Sequence, residues 1–131
     1  TRAQMTQAVL EGVAFAIRDS VEIARSLGLT IAKSGLCGGG AKSELWRKIM
    51  ANVLNLDLEV PESEQGAGYG GAILAMVAAG AYDSVRTACR ALQTPRTVYH
   101  PDPAIAARYE ARYQVFRTLY PALREIYPTF A

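Results

Sequence analysis

Three consecutive glycines, Gly38, Gly39 and Gly40, separate a short apolar stretch from a segment with helical periodicity. Glycine lacks a Cβ atom, so it adopts backbone conformations closed to other residues and destabilises any regular element that contains it. Three glycines in a row therefore indicate a tight turn. The flanking patterns predict a strand before this turn and a helix after it.

The apolar pattern along the whole chain predicts the element order α-β-α-β-α-α-α. The expected elements are a helix at 2–27 closed by Gly28, a strand at 30–37, a helix at 43–54 closed by Asn55, a strand at 56–60 stopped by Pro61, a helix at 66–79 closed by Gly80, a short helix N-capped by Asp83 and a terminal helix at 105–127. Residues 94–103 are expected to form a loop. Pro121 is expected to break or kink the last helix, because proline loses a backbone hydrogen bond.

Three burial expectations follow from residue size and spacing. Helix 66–79 is rich in glycine and alanine, which allow close backbone packing, so we expect it to be buried. The tyrosines from Tyr109 to Tyr127 recur at helical spacing and should pack against the domain. Cys89 lies at helical spacing between Val85 and Leu92 and should be a small buried hydrophobe.

Composition excludes several classes of protein. The 131 residues include 14 basic and 12 acidic side chains, and half of the chain is hydrophobic. Disorder is therefore excluded, and a nucleic-acid binder that relies on charge is disfavoured. No stretch resembles a signal peptide or a membrane span, and Cys37 and Cys89 lack the spacing of a zinc site. We expect a cytoplasmic protein with no nucleic-acid or membrane partner.

The chain opens at Thr1 without an initiator methionine, and two predicted strands make a poor sheet. We therefore expect a piece of a longer polypeptide, whose strands are completed by missing sequence or by a partner chain.

The glycine turn is compatible with several readings. It could be purely structural, since glycine is common in turns. A P-loop needs a glycine where Ala41 stands, which disfavours that motif. The dinucleotide fingerprint G-x-G-x-x-G would place Ser43 at the third glycine, with Asp57 or Glu59 as the ribose-binding acid. This dinucleotide-binding interpretation, in which the segment is a βαβ unit of an oxidoreductase, stays open as an alternative. A third reading is a helical interaction module that uses the aromatic face of the last helix.

The sequence gives little support for any catalytic side chain. His100 lies in a proline-rich loop and is expected to be a surface histidine. Ser34 lacks the first glycine of a nucleophile elbow. The sequence identifies no catalytic residue and no metal ligand.

Four segments together resemble one family. Residues 37–52, which read CGGGAKSELWRKIMAN, resemble the adenosine-binding segment of FGGY-family carbohydrate kinases, and of xylulose kinases in particular. The segments 4–12, 64–75 and 109–120 resemble the end of a second family signature, a small-residue helix and a closing tyrosine-containing helix. The four segments occur in the family's order. Asn52 departs from the pattern, because many members have aspartate there.

The resemblance implies a helix-rich α/β fold, the C-terminal part of an actin-like, ribonuclease-H-like ATPase domain. Residues 1–131 would be the adenosine-binding half of the second domain. Carried over by position, the nucleotide-binding residues would be Gly38, Gly39, Gly40, Ala41, Ser43 and Glu44. A branched side chain in Gly40→Val is expected to occupy space that the adenosine needs.

The resemblance also implies the chemistry of the parent enzyme. It would use ATP and Mg²⁺ to phosphorylate a ketopentose such as D-xylulose, or a related polyol. The sugar would bind through a missing N-terminal domain that also carries the catalytic base, so this chain alone is expected to be inactive. A homodimer is left open.

Overall fold

The computed structural model describes residues 1–62 and 66–126. Its elements are α1 (Arg2–Ser26), β1 (Lys33–Gly35), a 3-10 helix (Gly39–Lys42), α2 (Glu44–Leu54), β2 (Asp57–Pro61), α3 (Ala67–Ala78), α4 (Val85–Ala91), β3 (Arg96–Tyr99) and α5 (Pro103–Leu123). The expected helices and both expected strands are present. The first strand is shorter than expected, and β3 was not predicted.

Helix ends agree with the sequence at three residues with positive φ. Gly28 and Gly80 have φ values of 88° and 77° just after α1 and α3, and Asn55 closes α2 with a φ of 49°. Asparagine tolerates this conformation better than most residues that have a side chain. The prediction for α4 was wrong by one residue. Ser84, not Asp83, is its N-cap, and its hydroxyl accepts a hydrogen bond from the Thr87 amide at 3.2 Å.

The strands form a sheet in the order β1-β2-β3. β1 and β2 run parallel, as expected for strands joined through a helix, whereas β3 is antiparallel to β2. The expectation of a loop over 94–103 was therefore wrong at residues 96–99. On the outer face, Glu59 forms ion pairs with Lys33 at 2.6 Å and Arg96 at 3.1 Å, which link all three strands.

The core is built around α2. Every residue from Ile49 to Leu54 is buried, because α1 and α5 pack on α2 and the sheet covers its other side. Leu58 and Val60 alternate inward from β2. Phe15 of α1 contacts the rings of Tyr109 and Tyr113 at centroid distances of 6.0 and 5.9 Å. These contacts join three helices and one strand in a single apolar cluster.

Tyrosines of α5 carry their hydroxyl groups to polar partners on α1. Tyr113 is 2% exposed, and its hydroxyl donates to Asp19 at 2.6 Å. Burial, followed by the hydrogen bond to this carboxylate, raises the pKa of Tyr113 to about 12. Arg18 lies 4.1 Å from the Tyr113 ring centroid and forms an ion pair with Glu110. The prediction that the tyrosine face packs is confirmed for Tyr109 and Tyr113.

The burial expectations fail at Tyr120 of that face and over most of α3. Tyr120 is 64% exposed, and Tyr127 lies outside the described residues. Pro121 does not break α5, which continues to Leu123. In α3 the side chain of Ile73 is buried but that of Leu74 is 59% exposed.

Cys89 of α4 is exposed, so the expectation that it is buried was wrong. Its helical spacing places it on α4 but does not show whether another element covers that side of the helix. Over the described ranges, no helix has both the length and the hydropathy needed to cross a membrane.

Asn52 joins two helices at the centre of the fold. It is 7% exposed, and its Oδ1 accepts a hydrogen bond of 2.7 Å from the backbone N–H of Asp102, the N-cap of α5. Its Nδ2 donates to the Lys48 carbonyl at 2.7 Å. The amide therefore serves as both donor and acceptor, whereas an ionised aspartate could supply the acceptor alone.

Asn52→Leu should destabilise the fold by about 1 kcal/mol, because the part-buried hydrogen bond from the Asp102 N–H to the Asn52 side chain is lost. The measurement is the free energy of urea unfolding. Asn55→Gly is the matched control, since glycine tolerates the left-handed conformation, and should change stability by less than about 0.5 kcal/mol. Equal effects of the two substitutions would contradict this assignment.

Candidate functional site

The predicted turn is a left-handed glycine followed by one turn of 3-10 helix. Gly38 has a φ of 83°, which a residue with a Cβ atom rarely adopts. The Ala41 amide donates to the Gly38 carbonyl at 3.0 Å, and the Ser43 amide donates to Gly40 at 3.1 Å. The turn thus has an internal hydrogen-bond framework before α2 begins at Glu44.

The outer surface of this turn is exposed backbone. Gly38, Gly39 and Gly40 are exposed, while Ala41 points inward at 8% exposure. A Cβ atom built on Gly39 would meet no heavy atom within 4 Å. The first N–H groups of a helix lack a carbonyl partner within that helix, so this end of the 3-10 helix can offer main-chain donors to a ligand.

Trp46 lies directly behind the turn. A Cβ atom on Gly40 would lie 3.0 Å from the indole Nε1 and 3.1 Å from Cδ1. Glycine at position 40 therefore allows the turn to rest against the indole. In Gly40→Val, the added side chain would therefore displace Trp46 before it met any ligand, so this substitution does not act on the adenosine space alone.

Arg47 forms hydrogen bonds with the carbonyl groups at the end of the turn. Its Nε donates to the Ala41 carbonyl, and its Nη2 donates to the Lys42 carbonyl at 3.2 Å. Its Nη1 donates to the hydroxyl of Tyr99 on β3, and the guanidinium lies 5.2 Å from that ring's centroid. Sequence reasoning missed this role of Arg47 because nothing in the local pattern shows that the side chain folds back onto the turn.

Ser43 and Glu44, the two polar candidates, have different roles. The Ser43 hydroxyl accepts a hydrogen bond from the Trp46 amide at 3.3 Å, so it caps α2. Glu44 is exposed and forms an ion pair with Lys48 at 2.6 Å. The hydrogen bond from Lys48 and its charge lower the pKa of the Glu44 carboxyl. Glu44 therefore presents a carboxylate beside the turn.

Both acids named in the dinucleotide-binding interpretation, Asp57 and Glu59, have side-chain partners in or directly beside the sheet. Asp57 Oδ1 forms a hydrogen bond of 2.8 Å with His100 Nδ1, and Glu59 is paired with Lys33 and Arg96. His100 is exposed, as expected. Across residues 1–62 and 66–126, no three histidine, cysteine, aspartate or glutamate side chains cluster in a way that could hold a metal ion.

The third reading, an interaction module, requires an exposed aromatic face on α5. Tyr109 and Tyr113 are 8% and 2% exposed, respectively, so the first half of that face belongs to the core. This part of the third reading is wrong.

Two adjacent glycines should respond differently to alanine. Gly40→Ala should destabilise the protein by about 1–3 kcal/mol, because its Cβ would crowd the indole of Trp46. The Cβ atom added in Gly39→Ala would lie in open space. This substitution should therefore be neutral, or stabilise the protein by up to about 1 kcal/mol, because alanine lowers the conformational entropy of the unfolded chain. Trp46 is the one tryptophan of this chain, so its emission spectrum should shift in Gly40→Ala alone. Identical spectra and stabilities would show that the indole does not support the turn.

The chain is similar in sequence to several proteins that are named as sugar kinases. The xylulose kinase of Staphylococcus epidermidis is 29% identical over 126 residues, which are 96% of this chain and 25% of the relative. The L-xylulose/3-keto-L-gulonate kinase of Escherichia coli is 32% identical over 124 residues, 95% of this chain and 25% of the relative. The chain thus spans about a quarter of the length of these proteins.

A solved structure shares the fold. The crystal structure of a xyloylose kinase from Brucella ovis superposes with a TM-score of 0.83 at 37% identity, covering 96% of this chain and 26% of that one. The expected fold class is confirmed: this is the helix-rich α/β fold found in the C-terminal part of actin-like sugar kinases. The sequence profile of the FGGY family of carbohydrate kinases, C-terminal domain, matches residues 1–79, so the chain belongs to that family.

Proposed function

We propose that this chain is the adenosine-binding segment of an ATP-dependent sugar kinase. The observation that carries the proposal is the exposed backbone surface at Gly38–Gly40, open in front of Gly39 and supported behind by Trp46. A ligand can approach this surface to van der Waals distance because no side chain projects from it. The surface fits a flat, neutral group such as adenine with its ribose.

The polar groups around the turn suit a nucleoside better than a triphosphate. Arg47 is directed at two carbonyl groups beneath the turn and is not available as a phosphate clamp. The Glu44 carboxylate would repel phosphates, but it can accept hydrogen bonds from ribose hydroxyls or from the adenine amino group. The proposed adenosine contacts are therefore the backbone at 38–41 together with Ser43 and Glu44.

The phosphate chemistry belongs to other parts of the parent enzyme. In phosphoryl transfer, Mg²⁺ neutralises charge on the phosphates while a base orients the acceptor hydroxyl. The described residues of this chain offer no cluster of metal ligands, so in our proposal Mg²⁺ is held near the phosphates by residues elsewhere. This chain's contribution is to bind and orient the nucleoside end, which fixes where the γ-phosphate lies.

For the sugar, we propose a ketopentose such as D-xylulose. The support is similarity to proteins named as xylulose kinase and as L-xylulose/3-keto-L-gulonate kinase. These names cover more than one sugar, so the choice among ketopentoses and related polyols depends on residues outside this chain. A cytoplasmic location is part of the proposal, because ATP is the phosphoryl donor.

Exposed apolar surface supports a larger parent. Met5, Val9 and Val13 follow one another at helical spacing on α1 and are 73%, 67% and 49% exposed, and Leu74 of α3 is 59% exposed. Helices that are apolar on more than one side are usually buried in a larger core. In our proposal the remainder of the kinase covers these faces and extends the small sheet.

The purified 131-residue chain should show no sugar-dependent ATP turnover, because in our proposal the catalytic base and the phosphate-binding residues lie in other parts of the parent enzyme. The assay is ADP release from ATP with D-xylulose and Mg²⁺, and the full-length kinase is the positive control. Turnover by the fragment that increases with D-xylulose concentration would refute this assignment of roles.

In the full-length kinase, the series Gly39→Ala, Gly39→Val and Gly39→Leu should raise the KM for ATP progressively. The side chain would grow into the space in front of the turn, and the largest member should cost tenfold or more, roughly 1.4 kcal/mol. The KM for sugar should change by less than about twofold, since only the nucleotide side is filled. Gly39 is preferred to Gly40 for this test because Trp46 lies behind Gly40. Unchanged ATP affinity across the series would remove the turn from the nucleotide site.

A further inference from the structure

Beside Trp46, the side chain of Arg47 supports the glycine turn. Arg47 lies in the first turn of α2, and its half-buried side chain runs back toward the N-terminus of the helix, the direction that helical geometry favours. There the guanidinium donates to the Ala41 and Lys42 carbonyls. These groups lie at the C-terminal end of the 3-10 helix, where carbonyls lack partners within the helix.

The same guanidinium connects the turn to the sheet. Its third donor binds the Tyr99 hydroxyl, and Tyr99 is the last residue of β3, in register with Leu58 of β2. The turn is therefore held from two sides, by β1 along the chain and by β3 through Arg47. A lysine could not replace this arrangement, because its single ammonium group cannot donate in three fixed directions from a planar fork.

From these contacts we infer that Arg47 is a positioning residue for nucleotide binding, acting through the turn and anchored by Tyr99. This inference rests on the proposed function. Three glycines in sequence have many conformations of similar energy, so an unsupported turn would have to become ordered each time a nucleotide binds. Arg47 removes much of this ordering cost by fixing the carbonyl side of the turn, while its amide side stays available to the ligand.

The experiment uses the full-length kinase and measures ADP affinity by titration calorimetry, with KM values for ATP and D-xylulose as a second readout. Arg47→Met should weaken ADP binding and raise the KM for ATP about tenfold, equivalent to about 1.4 kcal/mol. Arg47→Lys should behave more like Arg47→Met than like the wild type. Tyr99→Phe, which removes the anchor hydroxyl alone, should weaken ADP binding about threefold, equivalent to roughly 0.65 kcal/mol.

Arg96→Met is the matched control. It removes an arginine from the same strand as Tyr99, where the side chain pairs with Glu59 on the outer face of the sheet. ADP affinity should stay within twofold of wild type in this variant. If Arg47→Met does not fold, Tyr99→Phe carries the test, since it deletes a single oxygen atom.

The possible results distinguish the positioning role of Arg47 from the proposed nucleotide-binding function. A wild-type kinase that binds no ADP would overturn the proposed function and this inference with it. Normal ADP affinity in folded Arg47→Met, or in Tyr99→Phe if Arg47→Met does not fold, would overturn the positioning role alone. Equal increases in the KM values for ATP and D-xylulose would also overturn it, because a general structural defect would not discriminate between the two ligands.

Discussion

The enclosure of α2 is the constraint on which the rest of the structure depends. From Ile49 to Leu54 the helix is buried on every side, so it has one position relative to α1, α5 and the sheet. The glycine turn of the candidate site leads directly into its N-terminus, where Ser43 caps the helix. The apolar packing of the second half of α2 therefore fixes the position of the first half.

Support of the turn follows from that fixed helix. Trp46 and Arg47 are neighbours in its first turn and act in different directions, the indole against Gly40 and the guanidinium against the carbonyls of Ala41 and Lys42. Together they leave one face of the turn free, the face in front of Gly39. A segment made of residues with little conformational preference becomes a defined surface because two large side chains of the following helix hold it.

Much of this arrangement could be predicted from the sequence. Helical spacing located the helices, and the triple glycine located the turn, because both signals are local. β3 was missed because Arg96–Tyr99 is a short strand in a segment rich in proline, and its pairing with β2 depends on residues far along the chain. The role of Arg47 was missed for a similar reason, since its contact with Tyr99 joins positions 52 residues apart.

Burial was the least predictable property. Hydrophobicity indicates that Leu74 and Cys89 tend to be covered, but it does not indicate which part of which chain covers them, and in this chain both are exposed. The same reasoning succeeded for Tyr113 because its partner, Phe15, lies in this chain. Burial predictions therefore hold here where the covering element is part of the same segment.

A crystal structure of the proposed full-length kinase with ADP would test the central claim most directly. We predict that the adenine and ribose lie against the backbone of Gly38–Gly40, with Trp46 still behind Gly40 and Arg47 still bound to the turn carbonyls. A nucleoside bound elsewhere, with this turn covered by side chains from another part of the enzyme, would contradict it.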